Sequence, residues 1–412
     1  MFNRSISFVV AGAAGAATLM AASAPSPLYP VYQRLWGFSA FTLTAVFAVY
    51  VAALLIALLT VGSLSDRVGR RPVVSGALIL LALGMLLFAI AGGTGDLVVA
   101  RIVQGFAVGT ATGTVTAMIL DSGPSPRLAS IVSSAVQVLG TAIGAVLAGA
   151  LVEFAPFPRQ LIFWIFGAIY LVLAALVWFI PEPSRAEATR RNSVWRSLRP
   201  SVGLPPATRS VFFALVPSIG AAWALSGLYL SLGSSIIGTV FGVHSHFIIG
   251  IVLGVFFVGA MAGTVISALL PPSVREWFGY GSLALGIMLT IAAMLMNGLP
   301  LYVVGSAIAG IGFGAAFRFS VNALGEAAPF AERGQVFATM YIVSYAAFSV
   351  PALAAGLAVG RFGLEPTAVA YGAIDIALVA IATIAGMVQV RRRVSENERT
   401  AASSAPLTAP PM

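Results

Sequence analysis

The chain alternates between long apolar runs and short polar connections. Twelve runs are about 20 residues long, which is enough to cross the hydrocarbon core of a bilayer as a helix. They predict helices over 7–27, 41–62, 73–92, 97–120, 129–152, 161–180, 210–232, 247–270, 278–297, 300–322, 335–359 and 367–390. The longest connection, 181–209, holds five prolines and six arginines and divides the runs six and six. The pattern predicts an all-α polytopic membrane protein with an N-terminal six-helix bundle over 1–182, a cytoplasmic central loop over 183–208, a C-terminal six-helix bundle over 209–392 and a disordered cytoplasmic tail over 393–412.

Composition supports this fold class and restricts the energy sources that the protein could use. The 412 residues are 59% hydrophobic and only 8% charged, whereas soluble domains carry about 25% charged residues. There is no cysteine, and all 22 basic residues are arginine. Without lysine the chain has neither a Walker-type phosphate loop nor a Schiff-base lysine. Any pumping must therefore use an ion gradient or a partner subunit, and we expect no cofactor and no metal.

The arginines are distributed very unevenly between the two sides of the membrane. With the N-terminus inside, seventeen arginines fall on inner segments and three, Arg34, Arg159 and Arg361, on outer ones. Positive loops stay cytoplasmic, so we predict that both termini are cytoplasmic and that the protein lies in the cell inner membrane. The net charge of +9 is then a topological signal and not a nucleic-acid surface. A cleaved signal peptide ending near Ala22-Ser-Ala24 is an alternative for the first run.

An internal repeat supports two related halves. A shift of 205 residues places 104–124 over 309–329, so that Gly105 meets Gly310, Gly109 meets Gly314, and Asp121 meets Glu326. Repeats of this kind are common in secondary transporters, which bind substrate near the midplane between them.

The loop after the second run is unusually polar. It reads GSLSDRVGRR over 62–71. Its arginines suit a cytoplasmic surface, but Asp66 beside hydrocarbon is costly unless it is paired. Asp121 ends the fourth predicted helix on the same side, so loop arginines can bridge the two carboxylates. We predict an inner gate formed by Gly62, Asp66, Arg67, Gly69, Arg70, Arg71 and Asp121.

Two motifs carry a resemblance to a known family. The pattern Gly-x-x-x-Asp-Arg-x-Gly-Arg-Arg over 62–71 resembles the signature loop of the major facilitator superfamily, and Arg101-Ile-Val-Gln104-Gly105 resembles a second motif of its fourth helix. The resemblance implies that the Asp66 cluster gates the inner side and that Arg101, supported by Gln104, takes part in ion coupling. The chain departs from the family twice. The second-half loop lacks the acid, and Ala145 follows Gly144 where the family's antiporters carry proline.

Three ionisable residues within the runs have two interpretations each. Arg101 serves coupling or extends to the membrane surface. Arg318 attracts an anionic substrate or likewise reaches the inner interface. Asp375, in the twelfth helix, carries protons or is hydrogen-bonded to a neighbouring hydroxyl.

Aromatic and histidine side chains give weaker signals. Candidate cavity residues, which could equally pack in the core or at the interfaces, are Tyr29, Tyr50, Trp223, Tyr229, Tyr341 and Tyr345. His244 and His246 lie on an outer loop with no nearby acid, which makes a poor metal site. No histidine, cysteine or acid cluster is expected at membrane depth, so an intramembrane enzyme is disfavoured.

These observations predict a transporter and not an enzyme. We expect a monomer that moves a small organic molecule by alternating access, through proton-coupled efflux of drugs or metabolites. The alternative is a proton-coupled importer or facilitator of a metabolite or organic anion.

Overall fold

The computed structural model describes residues 2–61, 64–181 and 202–404, without the side chains of Asp66, Arg67, Ala331 and 389–404. Twelve long helices run through these residues, and no strand occurs among them. They are α1 Arg4–Ser23, α2 Ala40–Val61, α3 Arg70–Ala89, α4 Thr94–Ser122, α5 Pro126–Phe154, α6 Leu161–Val177, α7 Pro206–Ser231, α8 His246–Leu269, α9 Pro272–Leu295, α10 Leu299–Ala327, α11 Arg333–Phe362 and α12 Leu364–Ser404.

Each predicted run corresponds to one of these helices, so the predicted fold class is confirmed. Eleven are long and apolar enough to span a membrane, and α6 is a shorter apolar helix of 17 residues. The ends of the helices differ more from the prediction than their number does. The helix backbone of α12 continues to Ser404, past the predicted end at 390. Most of the predicted central loop lies outside the described residues, and the proposed domain limits stay a prediction.

Short helical segments follow the first helix of each half. A turn of 3-10 helix over Ser26–Leu28 and a helix over Tyr29–Trp36 come after α1, while a helix over Gly233–Val240 comes after α7. Pro25 and Pro27 account for the break after α1, because proline cannot continue a helix from the preceding turn. We call the face where α1 begins the terminal face and the other the opposite face.

The two halves use the same helix pairings. In the first half α4 packs against α1, α2 and α3, α5 packs against α1, and α6 packs against α3. In the second half α10 packs against α7, α8 and α9, α11 packs against α7, and α12 packs against α9. The fourth helix of each half is therefore its centre, and the chain forms two six-helix bundles.

Aligned glycines make this packing possible. A Cβ atom at Gly105 or Gly109 of α4 would collide with backbone carbonyls of α2, and a Cβ at Gly310 or Gly314 of α10 would collide with those of α8. Small residues four apart allow helix backbones to approach closely in membranes. The repeat seen in the sequence thus reflects the same close helix contact in both halves, between α4 and α2 in the first and between α10 and α8 in the second.

The halves meet along two seams, α5 with α8 and α2 with α11. At the opposite face, side chains join the halves directly. The Ser26 hydroxyl donates to the Leu230 carbonyl at 3.0 Å, and the Ser234 hydroxyl donates to the Ser26 carbonyl at 2.7 Å. These contacts close the opposite face between α1 and α7.

Candidate transport site and gate

Arg101 is completely buried inside the first half. It lies two turns into α4 with 0% of its surface exposed. Its guanidinium donates to the Gln104 side chain at 2.6 Å, to the Ala22 carbonyl at 3.3 Å and to the Tyr29 hydroxyl. Gln104 in turn donates to the Ala21 carbonyl at 2.6 Å. The side chain is therefore held within the bundle and does not reach the membrane surface.

Aromatic rings and backbone enclose the same guanidinium. Its central carbon lies 5.1 Å from the ring centre of Tyr50, 5.4 Å from that of Tyr29 and 5.7 Å from that of Phe88, which are cation–π distances. Gly105, the last residue of the motif, brings the Tyr50 backbone against α4. In the part of the chain that the structure describes, no carboxylate pairs with Arg101, so rings, oxygens of neutral groups and backbone carbonyls stabilise its charge.

The second half repeats this arrangement without the charge. The 205-residue shift that aligns the halves places Ser306 at the position of Arg101. Ser306 is buried, and its hydroxyl hydrogen-bonds the Tyr229 hydroxyl at 2.6 Å. Tyr229 stacks on Phe256 with ring centres 4.3 Å apart. In each half a tyrosine thus contacts the fourth helix, Tyr29 from the short helix after α1 and Tyr229 from α7. Among the described residues, only the first half buries a cation at this position.

A third group of aromatic side chains lies at mid-height in the second half. Trp223 of α7 is at its centre, and its ring centre lies 5.0 Å from Tyr345, 5.3 Å from Phe317, 5.6 Å from Phe348 and 6.1 Å from Phe313. We call these five residues the Trp223 cluster. Tyr341 extends it, with its ring centre 6.2 Å from that of Tyr345.

The Trp223 cluster reaches the seam between the halves. The rings of Phe348 on α11 and Phe47 on α2 have centres 4.9 Å apart. In the described residues, the buried indole nitrogen of Trp223 and the hydroxyl of Ser344 have no hydrogen-bond partner. The cluster therefore combines aromatic faces with one unused polar atom, the Trp223 indole nitrogen, at the junction of the two bundles, and Ser344 directly precedes Tyr345 of the cluster on α11.

The six aromatic residues selected from the sequence separate into three places. Tyr29 and Tyr50 surround Arg101, Tyr229 pairs with Ser306, and only Trp223, Tyr341 and Tyr345 lie in or beside the Trp223 cluster. The phenylalanines of the cluster were not predicted from the sequence. Phe313 and Phe317, one helical turn apart on α10, are the signal that could have found them.

The structure describes part of the predicted inner gate. Arg70 forms an ion pair with Asp121 and donates to the Ala117 carbonyl at 2.7 Å, which joins the start of α3 to the end of α4. Gly69 has a φ of 102°, a conformation that favours glycine. Arg71, Asp121 and Ile180 line one small cavity at this end of the first half. Gly62 and the side chains of Asp66 and Arg67 lie outside the described residues.

Arg318 lines a cavity on the terminal side of the second half. The cavity has a volume of about 380 Å³, and its wall includes Arg275, Glu276, Asn322 and Glu326. Glu326, the acid that the repeat aligned with Asp121, therefore lines the same cavity as two arginines. Arg318 is partly exposed to this cavity.

Asp375 is buried in α12 with 1% of its surface exposed. Its Oδ2 atom has no hydrogen-bond partner among the described residues. The Tyr371 hydroxyl, one turn away, donates instead to the Ala224 carbonyl at 2.7 Å. The expected hydrogen bond to a neighbouring hydroxyl is therefore not made at Oδ2.

His246 has an acidic neighbour that the sequence did not reveal. Its backbone N–H donates to Glu153 at 2.8 Å, and its Nδ1 lies 3.5 Å from the same carboxylate oxygen. The expectation of no nearby acid was wrong, because the acid comes from the end of α5 in the other half. This contact also closes the opposite face.

Comparisons with known proteins agree with this architecture. A sequence profile described as Major Facilitator Superfamily matches residues 11–350. Over 139 residues the chain is 32% identical to a 3-(3-hydroxy-phenyl)propionate transporter of Escherichia coli K12, which is 33% of this chain and 34% of that protein. Over 236 residues it is 26% identical to a candidate multidrug resistance protein, MdtD, of Salmonella paratyphi B, which is 54% of this chain and 48% of that protein. The matches thus span about a third and about half of these relatives.

Solved structures share the whole fold. The crystal structure of a bacterial homologue of the human lysosomal transporter Spinster, inward-facing and unoccupied, superposes with a TM-score of 0.77 at 16% identity, covering 94% of this chain and 98% of that one. The nucleoside transporter NupG, as its D323A mutant, gives a TM-score of 0.69 at 12% identity over 92% and 99% of the two chains. With the profile matching most of its length and both motifs in place, the chain belongs to the major facilitator superfamily.

Proposed function

We propose that this transporter exports small aromatic molecules from the cytoplasm in exchange for protons. The observation that carries the proposal is the Trp223 cluster, which lies at mid-height beside a seam between the two bundles. Binding sites for small molecules combine apolar and aromatic walls with a few polar groups. The unpartnered Trp223 indole N–H can donate to a substrate oxygen, and Ser344 can donate or accept.

Access to the cluster depends on which face is open. The serine contacts and the Glu153–His246 pair hold the halves together at the opposite face. If the arginine-rich terminal face is cytoplasmic, this conformation admits substrate from the cytoplasm. In the exporting cycle the opposite-face contacts break, and the Arg70–Asp121 region meets the other half. Both conformations must be close in free energy, since otherwise one would never be populated.

Two buried charges are available for proton coupling. Among the described residues, Arg101 and Asp375 are the basic and acidic side chains that are buried. Asp375 is a carboxyl group that can take up and release a proton within the membrane. Arg101 donates to Tyr29, to Gln104 and to the Ala22 carbonyl, and so holds these parts of the first half in position. We assign Asp375 to proton carriage and Arg101 to positioning in a monomer of the inner membrane.

A second candidate function is uptake of an organic anion. Arg275 and Arg318 line one cavity, and arginine is well suited to carboxylates. The Escherichia coli relative at 32% identity is named for an aromatic carboxylate. An aromatic acid could contact the arginines with its carboxylate on its way to the Trp223 cluster.

Vesicle transport with an imposed pH gradient tests these assignments. Ethidium and radiolabelled 3-phenylpropionate serve as probes in inverted and right-side-out membrane vesicles. Export predicts accumulation of ethidium in inverted vesicles when the lumen is acidic. Accumulation of 3-phenylpropionate only in right-side-out vesicles would favour the second candidate.

The Trp223 cluster is tested with a matched pair of variants. Trp223→Leu should raise the KM for the transported probe by about 2- to 12-fold, because stacking on aromatic rings is worth roughly 0.5–1.5 kcal/mol beyond the buried area. Trp164→Leu removes a tryptophan that is 53% exposed on α6 and should leave the KM unchanged. Equal kinetics in both variants would contradict a substrate site at Trp223.

A further inference from the structure

A second cavity opens on the side of the molecule between α7, α11 and α12. Its volume is about 480 Å³, within the range of about 300–1,000 Å³ found for small-molecule sites. The wall is apolar and includes Ala224, Pro351 and Ala355, while Phe362 and Ile374 lie exposed at its rim. In the membrane these exposed apolar side chains face lipid, so the cavity is reached from the bilayer.

One carboxyl group faces this apolar cavity. Asp375 lies eleven residues after the start of α12, which is about 16 Å along a helix and so near the middle of the bilayer. Its Oδ2 atom is buried without a hydrogen-bond partner among the described residues. Tyr371 is the other ionisable side chain of the wall, and its hydroxyl is engaged by the Ala224 carbonyl.

We propose that this cavity binds a lipophilic amine from the membrane, with the ammonium group against Asp375. A buried carboxylate needs a cation or hydrogen-bond donors, and the residues lining the cavity include no arginine or histidine to supply them. An ammonium group supplies both, because it carries a positive charge and donates hydrogen bonds. The apolar wall accommodates the hydrocarbon body of the ligand. The site is separate from the Trp223 cluster, and its existence does not depend on the direction of transport. It shares Asp375 with the proton carriage proposed above, so a bound amine and a proton would compete for one carboxyl group.

Binding to the full chain in lipid nanodiscs tests the proposal. The probes are 1-naphthylmethylamine, a cation at neutral pH, and its neutral counterpart 1-naphthylmethanol, each measured by equilibrium dialysis against empty nanodiscs. The wild type should bind the amine at least about tenfold more tightly than the alcohol, a difference of about 1.4 kcal/mol. Asp375→Asn should abolish this preference for the amine without weakening the binding of the alcohol.

Two further variants separate the cavity from the general surface. Ala370→Trp places a large side chain in the cavity wall and should weaken both probes. Glu365→Gln removes an exposed carboxylate at the start of the same helix and should change neither. Equal binding of the amine and the alcohol would mean that the cavity holds lipid chains only. Loss of amine binding in Glu365→Gln would mean that the amine is attracted to surface charge. Either result overturns the proposal, as does the absence of amine binding.

A measurement on the wild type guards against misfolded variants. Dicyclohexylcarbodiimide is an apolar reagent that attaches to carboxyl groups inside membranes, and mass spectrometry of the peptide containing Asp375 reports its attachment. The amine should protect Asp375 from the reagent, and the alcohol should not. Labelling that the amine does not reduce would refute an ammonium group at this carboxyl.

Discussion

Replacing Gly105 by alanine tests whether the bundle depends on close backbone contact between α2 and α4. A methyl group at Gly105 would lie 3.0 Å from the Tyr50 carbonyl carbon and 3.1 Å from the Ala53 Cβ, and closer still to the Tyr50 oxygen. Carbon atoms prefer separations of about 3.5–4.0 Å. The contact with the oxygen is the shortest, and relieving it requires the helices to separate by about 1 Å or more. Overpacking of this kind costs about 1–3 kcal/mol.

Gly113 on the same helix provides the control. Nothing lies within 4 Å of a Cβ atom at Gly113, so Gly113→Ala costs no contact and gains up to about 1 kcal/mol of helix propensity. Thermal unfolding in detergent should give a lower midpoint for Gly105→Ala, by about 1 °C for each kcal/mol lost in a chain of this length, and an unchanged or higher midpoint for Gly113→Ala.

Transport should separate the two variants as well. Moving α2 displaces Phe47, whose ring meets Phe348 at the seam between the bundles. We expect Gly105→Ala to lose most transport while Gly113→Ala retains it. Midpoints and rates that agree between the two variants would refute the reasoning that backbone contact, and not merely a small residue, is required at Gly105.

Three other perturbations test the charged groups. Arg101→Met should stop transport and lower stability by about 1–3 kcal/mol, because its buried partners lose their donor; unchanged transport and pH dependence would argue against a positioning role. Asp121→Asn removes the ion pair at the end of α4 and should slow transport, whereas the exposed Asp96→Asn should not; equal rates would leave the gate without support. Glu153→Gln weakens the contact between α5 and α8, so a Ser234→Cys reporter, the only cysteine in the chain, should react faster with a maleimide than it does with Glu153 intact; an unchanged labelling rate would contradict a closing role.

The sequence predicted those features that depend on spacing along one helix. Twelve apolar runs gave twelve helices, and the glycines at 105 and 109 pack as the repeat indicated. Arg101 and Gln104, three residues apart, do form one hydrogen-bonded unit. Motifs within a helix are predictable because helix geometry fixes which residues share a face.

Contacts between distant helices were not predictable in the same way. Glu153 meets His246 only because α5 and α8 cross at the seam. The cavity beside Asp375 likewise depends on the gap between α11 and α12, which no single helix encodes. Phe348 illustrates a further reason, since one phenylalanine among 26 carries no sign of whether it faces lipid, core or substrate.

The contact between Phe47 and Phe348 links recognition to motion. These rings belong to different bundles, and Phe348 is also a member of the Trp223 cluster. Any tilt of one bundle against the other must slide these rings, so the shape offered to a bound molecule changes with the same movement that exposes it. A molecule that fills the Trp223 cluster completely would prevent this sliding and stop the transport cycle. A molecule that leaves the two rings free to slide would be transported. The ligands that fit this protein best would therefore be its inhibitors.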